Sequence, residues 1–436
     1  DNTRTTFSDE PGHDRQDSTA LAVNSSWELN NFDLEVILGL ADSDMEYGYD
    51  EDWAFTGIHP DGYTSTDNYI RDRETQSLEF RILSNDSSRL FSNSTEWLFG
   101  LYTLKSSESL KREYTYLASD FFSDYDFDTT AVFFQLDSSL SEKLILETGL
   151  RLERRDSNYK DSELLNFDPD ETLWGGRVAL KYLLNPSTMA YASVARGYKA
   201  GGFNTDGSLD ADLREFGEEF LVEYEIGLKS NLFENTLHLK AAVFHDDRRD
   251  QQVKSSTGRI RSGGSTEFID FIGNAAEGTN NGVEFEAVWF PIQQLGLTAS
   301  VGILDATFDS FINSERQNLS GRDQAHAPAY MAHLAADYNL GAWSLSVSVD
   351  AKDDFYFSDS HNIKSEPYEL VNMNLKYSTD QWSLSFWGRN LTDQDYAVRG
   401  FFFGEFGNDP RKGYAPEPYL QFGEPRMVGV SYELQL

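Results

Sequence analysis

The chain has 436 residues, with 36 Lys and Arg against 73 Asp and Glu, a formal net charge of −37 and no cysteine. The acidity argues against a nucleic-acid-binding protein, because phosphate contacts require clustered Lys and Arg. The absence of cysteine removes disulfide frameworks and thiolate metal sites, and no run approaches the ~18 apolar residues of a transmembrane helix.

Apolar and polar residues alternate along much of the chain. The clearest segments are Leu144–Glu153, Val222–Lys229, Trp343–Asp350 and Trp382–Trp387. Alternation with a period of two predicts β-strands that have one apolar and one polar face. Such strands fit a soluble sandwich or propeller, whose apolar faces form a core. They equally fit an outer-membrane barrel, whose apolar face contacts lipid.

The connections between the predicted strands are alternately short and long. In chain order, short turns are predicted near 29–31, 85–94, 138–142, 184–187, 232–235, 291–294, 339–342 and 378–381. Long polar loops are predicted near 42–74, 106–128, 158–171, 201–218, 246–274, 309–327, 353–367 and 392–418. A transmembrane antiparallel β-barrel has this pattern, with periplasmic turns at one rim and extracellular loops at the other. Aromatic residues beside the turns, such as Trp27, Trp289 and Trp343, predict an interfacial girdle.

The number of predicted strands is about seventeen. The first, Ser18–Trp27, and the last, within Leu420–Leu434, run in the same direction, so they cannot pair with each other in an antiparallel barrel. We therefore expect an odd number of strands to be missing from the front. Residues 1–16 are expected to be the remnant of an extracellular loop, and residues 17–436 to form the C-terminal part of a barrel.

Five segments in series carry a family resemblance. They are YASVARGYKAGGFN (191–204), FLVEYEIGLKSNLFENTLHLKAAVF (220–244), GNAAEGTNNGVEFEAVW (273–289), WGRNLTDQDY (387–396) and FGEPRMVGVSYELQL (422–436). Together they resemble the C-terminal barrel of TonB-dependent outer-membrane receptors. Members of that family have a barrel of about 22 strands that is filled by an N-terminal plug. The resemblance therefore implies that the plug domain and about five strands are absent from this chain, which ends on Leu436 rather than on the family's usual aromatic residue.

The resemblance implies active transport across the bacterial outer membrane, and not an enzyme. An inner-membrane energy-transducing complex would drive uptake through the missing plug region, and outer-membrane lipid and lipopolysaccharide would surround the barrel. The default extracellular ligand is a ferric siderophore, the family's commonest class. Uptake of an oligosaccharide by the same type of barrel and passive conduction by a porin-like channel are the alternatives.

Aromatic and basic residues of the predicted long loops are the candidate ligand contacts. Exposed rings suit stacking on sugars, catechols or macrocycles, and cations would attract an anionic complex past the acidic loops. The candidates are Tyr47, Tyr49, Trp53, Phe55, Phe401, Phe402, Phe403, Phe406 and Tyr414 among the aromatic residues, and Arg196, Lys199 and Arg411 among the basic ones. Arg248, Arg249, Arg399 and Lys412 would extend the basic patch. The alternative is that the rings pack loops together and that the cations pair with luminal carboxylates.

Acidic runs in two predicted loops, at 42–52 and 206–212, raise the question of Ca²⁺. This ion takes six to eight oxygen ligands, but neither run has the spacing of an EF-hand. A solvated loop, or divalent bridging to lipopolysaccharide phosphates, explains the acidity as well. No cofactor is expected, and Ca²⁺ in these extracellular loops is left open.

Overall fold

The computed structural model describes residues 4–59, 62, 64–205, 209–260, 266–313, 316–359, 361–402, 409–413 and 415–435, without the side chains of 256–260 and 266–268. Seventeen long strands follow one another through one antiparallel sheet. They are β1 (His13–Glu28), β2 (Phe32–Asp50), β3 (Thr66–Ser84), β4 (Thr95–Tyr114), β5 (Phe121–Ser139), β6 (Leu144–Asp161), β7 (Asp170–Asn185), β8 (Thr188–Lys199), β9 (Glu219–Leu232), β10 (Leu237–Ile260), β11 (Thr266–Ile292), β12 (Leu295–Phe311), β13 (Tyr330–Leu340), β14 (Trp343–Lys352), β15 (Tyr368–Ser378), β16 (Trp382–Arg389) and β17 (Met427–Leu434).

Smaller elements lie in the connections. The strand Asn166–Phe167 extends the sheet beside β6, Gly202–Phe203 pairs with Glu215–Phe216, and Ala397–Phe402 pairs with Pro418–Phe422. Short helical turns occupy Leu90–Asn93, Ala211–Leu213 and Pro410–Lys412. No helix in the described part of the chain has the length and apolar character needed to cross a membrane.

The predicted antiparallel all-β architecture and the strand count are confirmed. Each of the eight predicted turns joins two consecutive strands, from 29–31 between β1 and β2 to 379–381 between β15 and β16. All neighbouring strands are antiparallel, so β1 and β17 run in the same direction, and the described residues show no pairing between them.

Several predicted loops are wrong, because strands extend through them. Residues 42–50 and 66–74 belong to β2 and β3, and residues 246–260 and 266–274 belong to β10 and β11. Beyond the apolar layer both faces of a strand are polar, so the alternation disappears from the sequence although backbone pairing continues. For the same reason β1 begins at His13, inside the expected loop remnant. The last barrel strand is shorter than predicted and begins only at Met427, because Pro418–Phe422 pairs with Ala397–Phe402 in a separate hairpin.

The two faces of the sheet differ in chemistry. On one face, the cross-strand apolar pair of Leu21 with Leu40 is exposed, and so is Val23, which is paired with the half-buried Leu38. On the other face charged side chains meet across strands, as in the ion pair between Lys181 and Glu147. An exposed apolar band opposite a charged face is the arrangement of a membrane barrel, with lipid outside and a polar lumen inside. We call the charged face luminal.

Aromatic rings line the rim of short turns on the apolar face. The ring centroids of Trp343 and Tyr377 are 4.9 Å apart, those of Tyr377 and Trp382 are 5.5 Å apart, and those of Trp382 and Tyr432 are 6.2 Å apart. This continuous row crosses the last four strands. Amphipathic rings favour the boundary between lipid and water, so the row has the position that the predicted girdle requires.

Glycines on the luminal face allow aromatic rings to lie flat on the sheet. Gly100 is paired with Phe133, and a Cβ atom at Gly100 would lie 2.1 Å from Cζ of that ring. Gly227 is paired in the same way with Tyr191, whose Cζ would lie 2.4 Å from an added Cβ. The ring covers backbone that glycine leaves bare, which supports the register of the two strands.

We expect Gly100→Val to lower the free energy of unfolding by about 1–3 kcal/mol, because Phe133 must leave its position against the sheet. Gly302 in β12 is the matched control, since a Cβ atom there meets nothing within 4 Å. Denaturant unfolding followed by tryptophan fluorescence would measure both variants. Equal losses for Gly100→Val and Gly302→Val would contradict the covering role of Phe133.

Candidate functional site

The candidate site is the luminal space at the rim of long connections, which we call the outer vestibule. It comprises the luminal face of β2–β6, at the strand ends nearest the long connections, together with the connections 51–65, 200–218 and 390–426. The first and last of these connections contact each other, since the ring of Trp53 lies 5.6 Å from that of Phe401. This contact shows that the sheet curls. Side chains from distant parts of the sequence therefore face one space.

A buried arginine organises the wall formed by β3 and β4. Arg112 donates through Nε to Oδ1 of Asp67 at 2.9 Å and through Nη2 to Oδ2 at 2.6 Å. The guanidinium lies 5.1 Å from the ring centroid of Tyr69 and 5.0 Å from that of Tyr114. The two-point ion pair satisfies both charges, and the rings cover it, so this Arg112 cluster is a rigid part of the wall.

The predicted contacts Tyr47 and Tyr49 lie at the edge of the Arg112 cluster. The hydroxyl of Tyr49 lies 3.5 Å from Asp67, and its ring is half-buried. Tyr47 keeps 48% of its surface exposed, with its ring 6.3 Å from that of Tyr69. Tyr49 thus packs the wall, whereas Tyr47 presents a ring to the vestibule.

Next to this cluster two arginines share one carboxylate. Arg71 and Arg73 of β3 both contact Glu108 of β4, with 2.5 Å between Arg71 Nη1 and Glu108 Oε1 and 2.9 Å between Arg73 Nε and Glu108 Oε2. The side chain of Glu108 is 9% exposed. Arg71 also donates to the hydroxyl of Thr205, at 3.3 Å. The contact shows that connection 200–218 reaches β3 across several strands.

Arg214 fastens connection 200–218 inside the lumen. Its side chain is fully buried, forms an ion pair with the equally buried Asp161, and donates to the hydroxyl of Tyr159 at 2.8 Å. Phe203 enters the same region, with its ring stacked at 4.9 Å on that of Tyr159 and at 5.2 Å from that of Tyr125. The described part of this connection therefore folds inward and narrows the outer vestibule.

Further hydrogen bonds hold the same connection at its other side. The side chain of Asn204 donates to the carbonyl oxygens of Leu213 and Ile272, both at 2.9 Å, and accepts from the amide of Ile272 at 2.9 Å. Ser123 of β5 donates to the carbonyl of Thr205 at 3.0 Å. Connection 200–218 is thus bonded to β3, β5, β6 and β11.

We expect Arg214→Gln to release connection 200–218, because Asp161 would remain as a buried charge without its partner. Removing one partner of a buried ion pair costs about 3–5 kcal/mol. Hydrogen exchange of the connection would detect the release as faster exchange at Asn204 and Leu213. Arg411→Gln is the control, since Arg411 is 50% exposed in its pair with Asp409. Unchanged exchange in Arg214→Gln would contradict the anchoring role.

The predicted residues Trp53 and Phe401 come together at the mouth of the vestibule. Trp53 lies edge-on to Phe401 and to Tyr419, with centroid distances of 5.6 and 5.2 Å. Phe401 and Tyr419 are opposite each other in the hairpin that Ala397–Phe402 forms with Pro418–Phe422. We call these three residues the mouth cluster. Edge-to-face rings are mutually stabilising, and all three rings are half-buried.

The remaining predicted residues do not join one patch. Phe55 lies 6.4 Å from Phe7, whose ring also carries Arg411 at 4.4 Å. Phe402 lies 6.0 Å from the ring of His361. Arg196 sits over Trp174 and Phe220 on the apolar side of the sheet, at 4.2 and 4.5 Å, and Lys199 is exposed at the end of β8. The three other candidates, Phe403, Phe406 and Tyr414, lie outside the described residues.

Sequence reasoning missed several residues of the vestibule. Tyr69 and Tyr114 lay in segments interpreted as loops, and Tyr419 lay between the last predicted loop, 392–418, and the last predicted strand, Leu420–Leu434. Arg214 and Arg112 had no distinguishing sequence context. The available signal was the spacing of two residues between Tyr47 and Tyr49, with Tyr69 following in the next segment. This spacing is compatible with a hairpin that continues beyond the apolar layer.

The acidic run at 42–52 is divided between two environments. Asp42 and Asp44 lie on the outer face of β2, opposite Glu74 and Asp72 of β3. Asp52 is 2% exposed and accepts from the amides of Ala54 and Ser65, both at 2.9 Å. Burial, opposed by these hydrogen bonds and reinforced by the neighbouring Asp50, raises the pKa of Asp52 to about 6.

A raised pKa means that the folded connection 51–65 binds a proton at Asp52 more tightly than the unfolded chain does. Its contribution to stability is present below the unfolded pKa of 3.8 and is lost as the pH rises through about 6. We expect the fluorescence of the adjacent Trp53 to titrate with a midpoint near pH 6, and Asp52→Asn to abolish that transition.

Asp409→Asn is the control for this titration. Hydrogen bonds from Arg411 hold the pKa of Asp409 down at about 2, so its carboxylate stays ionised across the range. The transition should persist in Asp409→Asn. A midpoint that is unchanged in Asp52→Asn would contradict the assignment to Asp52.

No group of three or more His, Asp or Glu side chains among the described residues is arranged to hold a metal ion. Asp206 of the second acidic run lies outside those residues. Calcium binding in the acidic connections stays a prediction.

Comparison with known proteins places this geometry in a family. The family described as "TonB dependent receptor-like, beta-barrel" matches residues 1–391. The chain belongs to this family. As a TonB-dependent receptor barrel it is an outer-membrane protein, which confirms the resemblance found in the sequence.

Individual relatives are distant. The pesticin receptors of Yersinia pestis and Yersinia enterocolitica are 23% and 22% identical to this barrel over 326 residues, which is 71% of this chain and 46% of each relative. The ferric yersiniabactin uptake receptor FyuA from Yersinia pestis has a TM-score of 0.78, at 17% identity, over 97% of this chain and 62% of that one. The siderophore receptor PiuA from Acinetobacter baumannii has a TM-score of 0.74, at 14% identity, over 97% of this chain and 64% of that one. The chain thus spans about half the length of the pesticin receptors it matches.

Proposed function

We propose that this barrel belongs to a receptor that takes up a ferric siderophore across the outer membrane, driven by an inner-membrane energy-transducing complex. The observation that carries the proposal is the family match over residues 1–391. Proteins of the same fold are described as a ferric yersiniabactin uptake receptor, a siderophore receptor and a ferric citrate transporter. Their descriptions support a chelated metal as the ligand.

The outer vestibule is suited to such a ligand. Its mouth presents the rings of Trp53, Phe401 and Tyr419, and Tyr47 adds an exposed ring on the wall. Ring faces bind flat or apolar surfaces of a chelate, and a few convergent polar groups fix its orientation. The same rings also suit an oligosaccharide, which is therefore the second candidate ligand.

Transport tests the proposal directly. The receptor would be produced in a Gram-negative host that lacks its own siderophore receptors, and uptake of radioactive iron as a ferric siderophore would be measured with and without the energy-transducing complex. We expect uptake only when the complex is present. Equal uptake with and without the energy-transducing complex would favour a passive porin-like channel. Uptake of a labelled oligosaccharide but not of iron would favour the alternative ligand.

A variant of the mouth cluster tests the site. We expect Trp53→Ala to weaken ligand binding about tenfold, because buried aromatic contacts dominate recognition surfaces. Trp343→Ala is the matched control, since Trp343 lies in the girdle at the opposite rim. Ligand affinity would be measured with purified protein in detergent. An affinity that Trp53→Ala leaves unchanged would remove the mouth cluster from the site.

A further inference from the structure

The charge of the outer vestibule decides which chelates can enter it. We infer that the cargo is an uncharged or cationic metal chelate that binds through ring and apolar contacts, and not a polyanionic chelate. This inference rests on the proposed uptake function and narrows its substrate class. It follows from the positions of the described Arg and Lys side chains of the vestibule and from the carboxylates with which they pair.

Four arginines of the vestibule wall are paired with carboxylates, and a fifth, Arg155 of β6, donates to the hydroxyl of Tyr125 at 2.8 Å. Glu108 forms ion pairs with Arg71 and Arg73, and Asp67 forms one with Arg112. Arg214 forms ion pairs with Asp161 and Glu163. Glu108, Asp67 and Asp161 are at most 9% exposed. Four cations are therefore committed to four carboxylates. An incoming anion would have to compete with buried carboxylates that are already in contact with each guanidinium.

The connections above this wall are acidic. Six of the eight connections on this rim contain more Asp and Glu than Lys and Arg, and the exceptions are 261–265 and 312–329. A polyanion approaching the mouth meets a repulsive potential, whereas a neutral or cationic complex does not. Like-charge repulsion of this kind is a device for excluding wrong partners.

The basic patch that would reverse this conclusion is not assembled in the described residues. Arg248 pairs with Glu219, and Arg249 pairs with Asp247. Arg411 pairs with Asp409, and Lys412 pairs with Glu417. Arg196 lies on the apolar outer side of the sheet, against Trp174. These predicted members of the patch are thus dispersed or neutralised, and Lys199 is exposed at the end of β8.

Three further cations at the rim are held by other groups. Arg322 donates to the carbonyl oxygens of Ser358 and His361, at 2.8 and 2.6 Å. Lys352 lies 4.2 Å from the ring of Phe355, and Arg399 lies 4.6 Å from that of Phe401. These positions fasten the connections together, and near them Asp359 accepts from the amide of Ala325 at 2.9 Å. Of the three, only Arg399 contacts the mouth cluster, through the ring of Phe401.

Fluorescence quenching of Trp53 reads the potential at the mouth without any ligand. Iodide, caesium and acrylamide would be used as anionic, cationic and neutral quenchers of the purified protein in detergent, and Trp53→Phe would isolate the contribution of Trp53. We expect caesium to quench Trp53 about twofold or more better than iodide, each relative to acrylamide, at low ionic strength. A preference for iodide would overturn the inference.

Binding of defined ferric chelates then tests the substrate class. The probes are a neutral tris-hydroxamate, a monocationic tris-hydroxamate and a trianionic tris-catecholate. We expect the trianionic probe to bind most weakly and to gain affinity with added salt. Glu108→Gln should strengthen its binding roughly three- to tenfold at low ionic strength, because Arg71 and Arg73 lose their carboxylate. The matched control is Glu286→Gln, which frees Lys240 towards the rim of short turns and should leave all three affinities unchanged.

The outcomes separate this inference from the proposed function. If the trianionic probe binds at least as tightly as the neutral one, the inference is wrong and siderophore uptake stands. If none of the three chelates binds while caesium remains the better quencher of Trp53, ferric-chelate uptake is wrong and the cation-favouring mouth stands. Weak binding of the trianionic probe that salt and Glu108→Gln leave unchanged would also overturn the inference, because repulsion would not be its cause.

Discussion

The whole structure depends on one constraint, which is that a backbone amide in hydrocarbon has no water to bond to. Strands can cross a lipid layer only if their neighbours satisfy every peptide group. Strands β2–β16 meet this condition because each pairs with a strand on both sides, and in the described residues β1 and β17 each pair on one side. Because side chains alternate across each strand, the same ladders place apolar residues towards lipid and leave the other face free to carry charge. Both the alternation in the sequence and the chemistry of the vestibule follow from this division.

Charge on the luminal face is stabilised locally, between neighbouring strands. Asp67 and Arg112 belong to adjacent strands, and so do Arg71, Arg73 and Glu108. Such pairs satisfy side chains that would otherwise be desolvated alone against the wall. A wall built from balanced pairs has little net potential of its own. In the proposed mode of recognition, the acidic connections set the field at the mouth and the rings of the mouth cluster supply the contact surface.

The strands and turns whose lengths are set by the lipid layer could be predicted from the sequence. The strand ends and connections that lie beyond that layer could not. All eight turns and the strand count could be read from alternation and loop length, because both are imposed by a layer of fixed thickness. The outer ends of β2, β3, β10 and β11 were missed, since water on both faces removes the apolar signal while pairing continues. In the candidate site, loop aromatics such as Trp53 and Phe401 were identified by composition. Arg112 and Arg214 were missed because their roles arise from contacts between segments that are distant in sequence.

The inward position of connection 200–218 has a consequence for recognition. Moving it outward would separate Arg214 from Asp161, Tyr159 and the rings around them. A buried charge left without its partner costs about 3–5 kcal/mol, which keeps the open arrangement at the per cent level or below. The connection therefore acts as part of the wall rather than as a lid. A ligand meets a vestibule whose width is already set, so little of its binding free energy is spent on ordering this segment. Selection then rests on how well the ligand's shape and charge fit the fixed wall, the mouth cluster and the acidic rim.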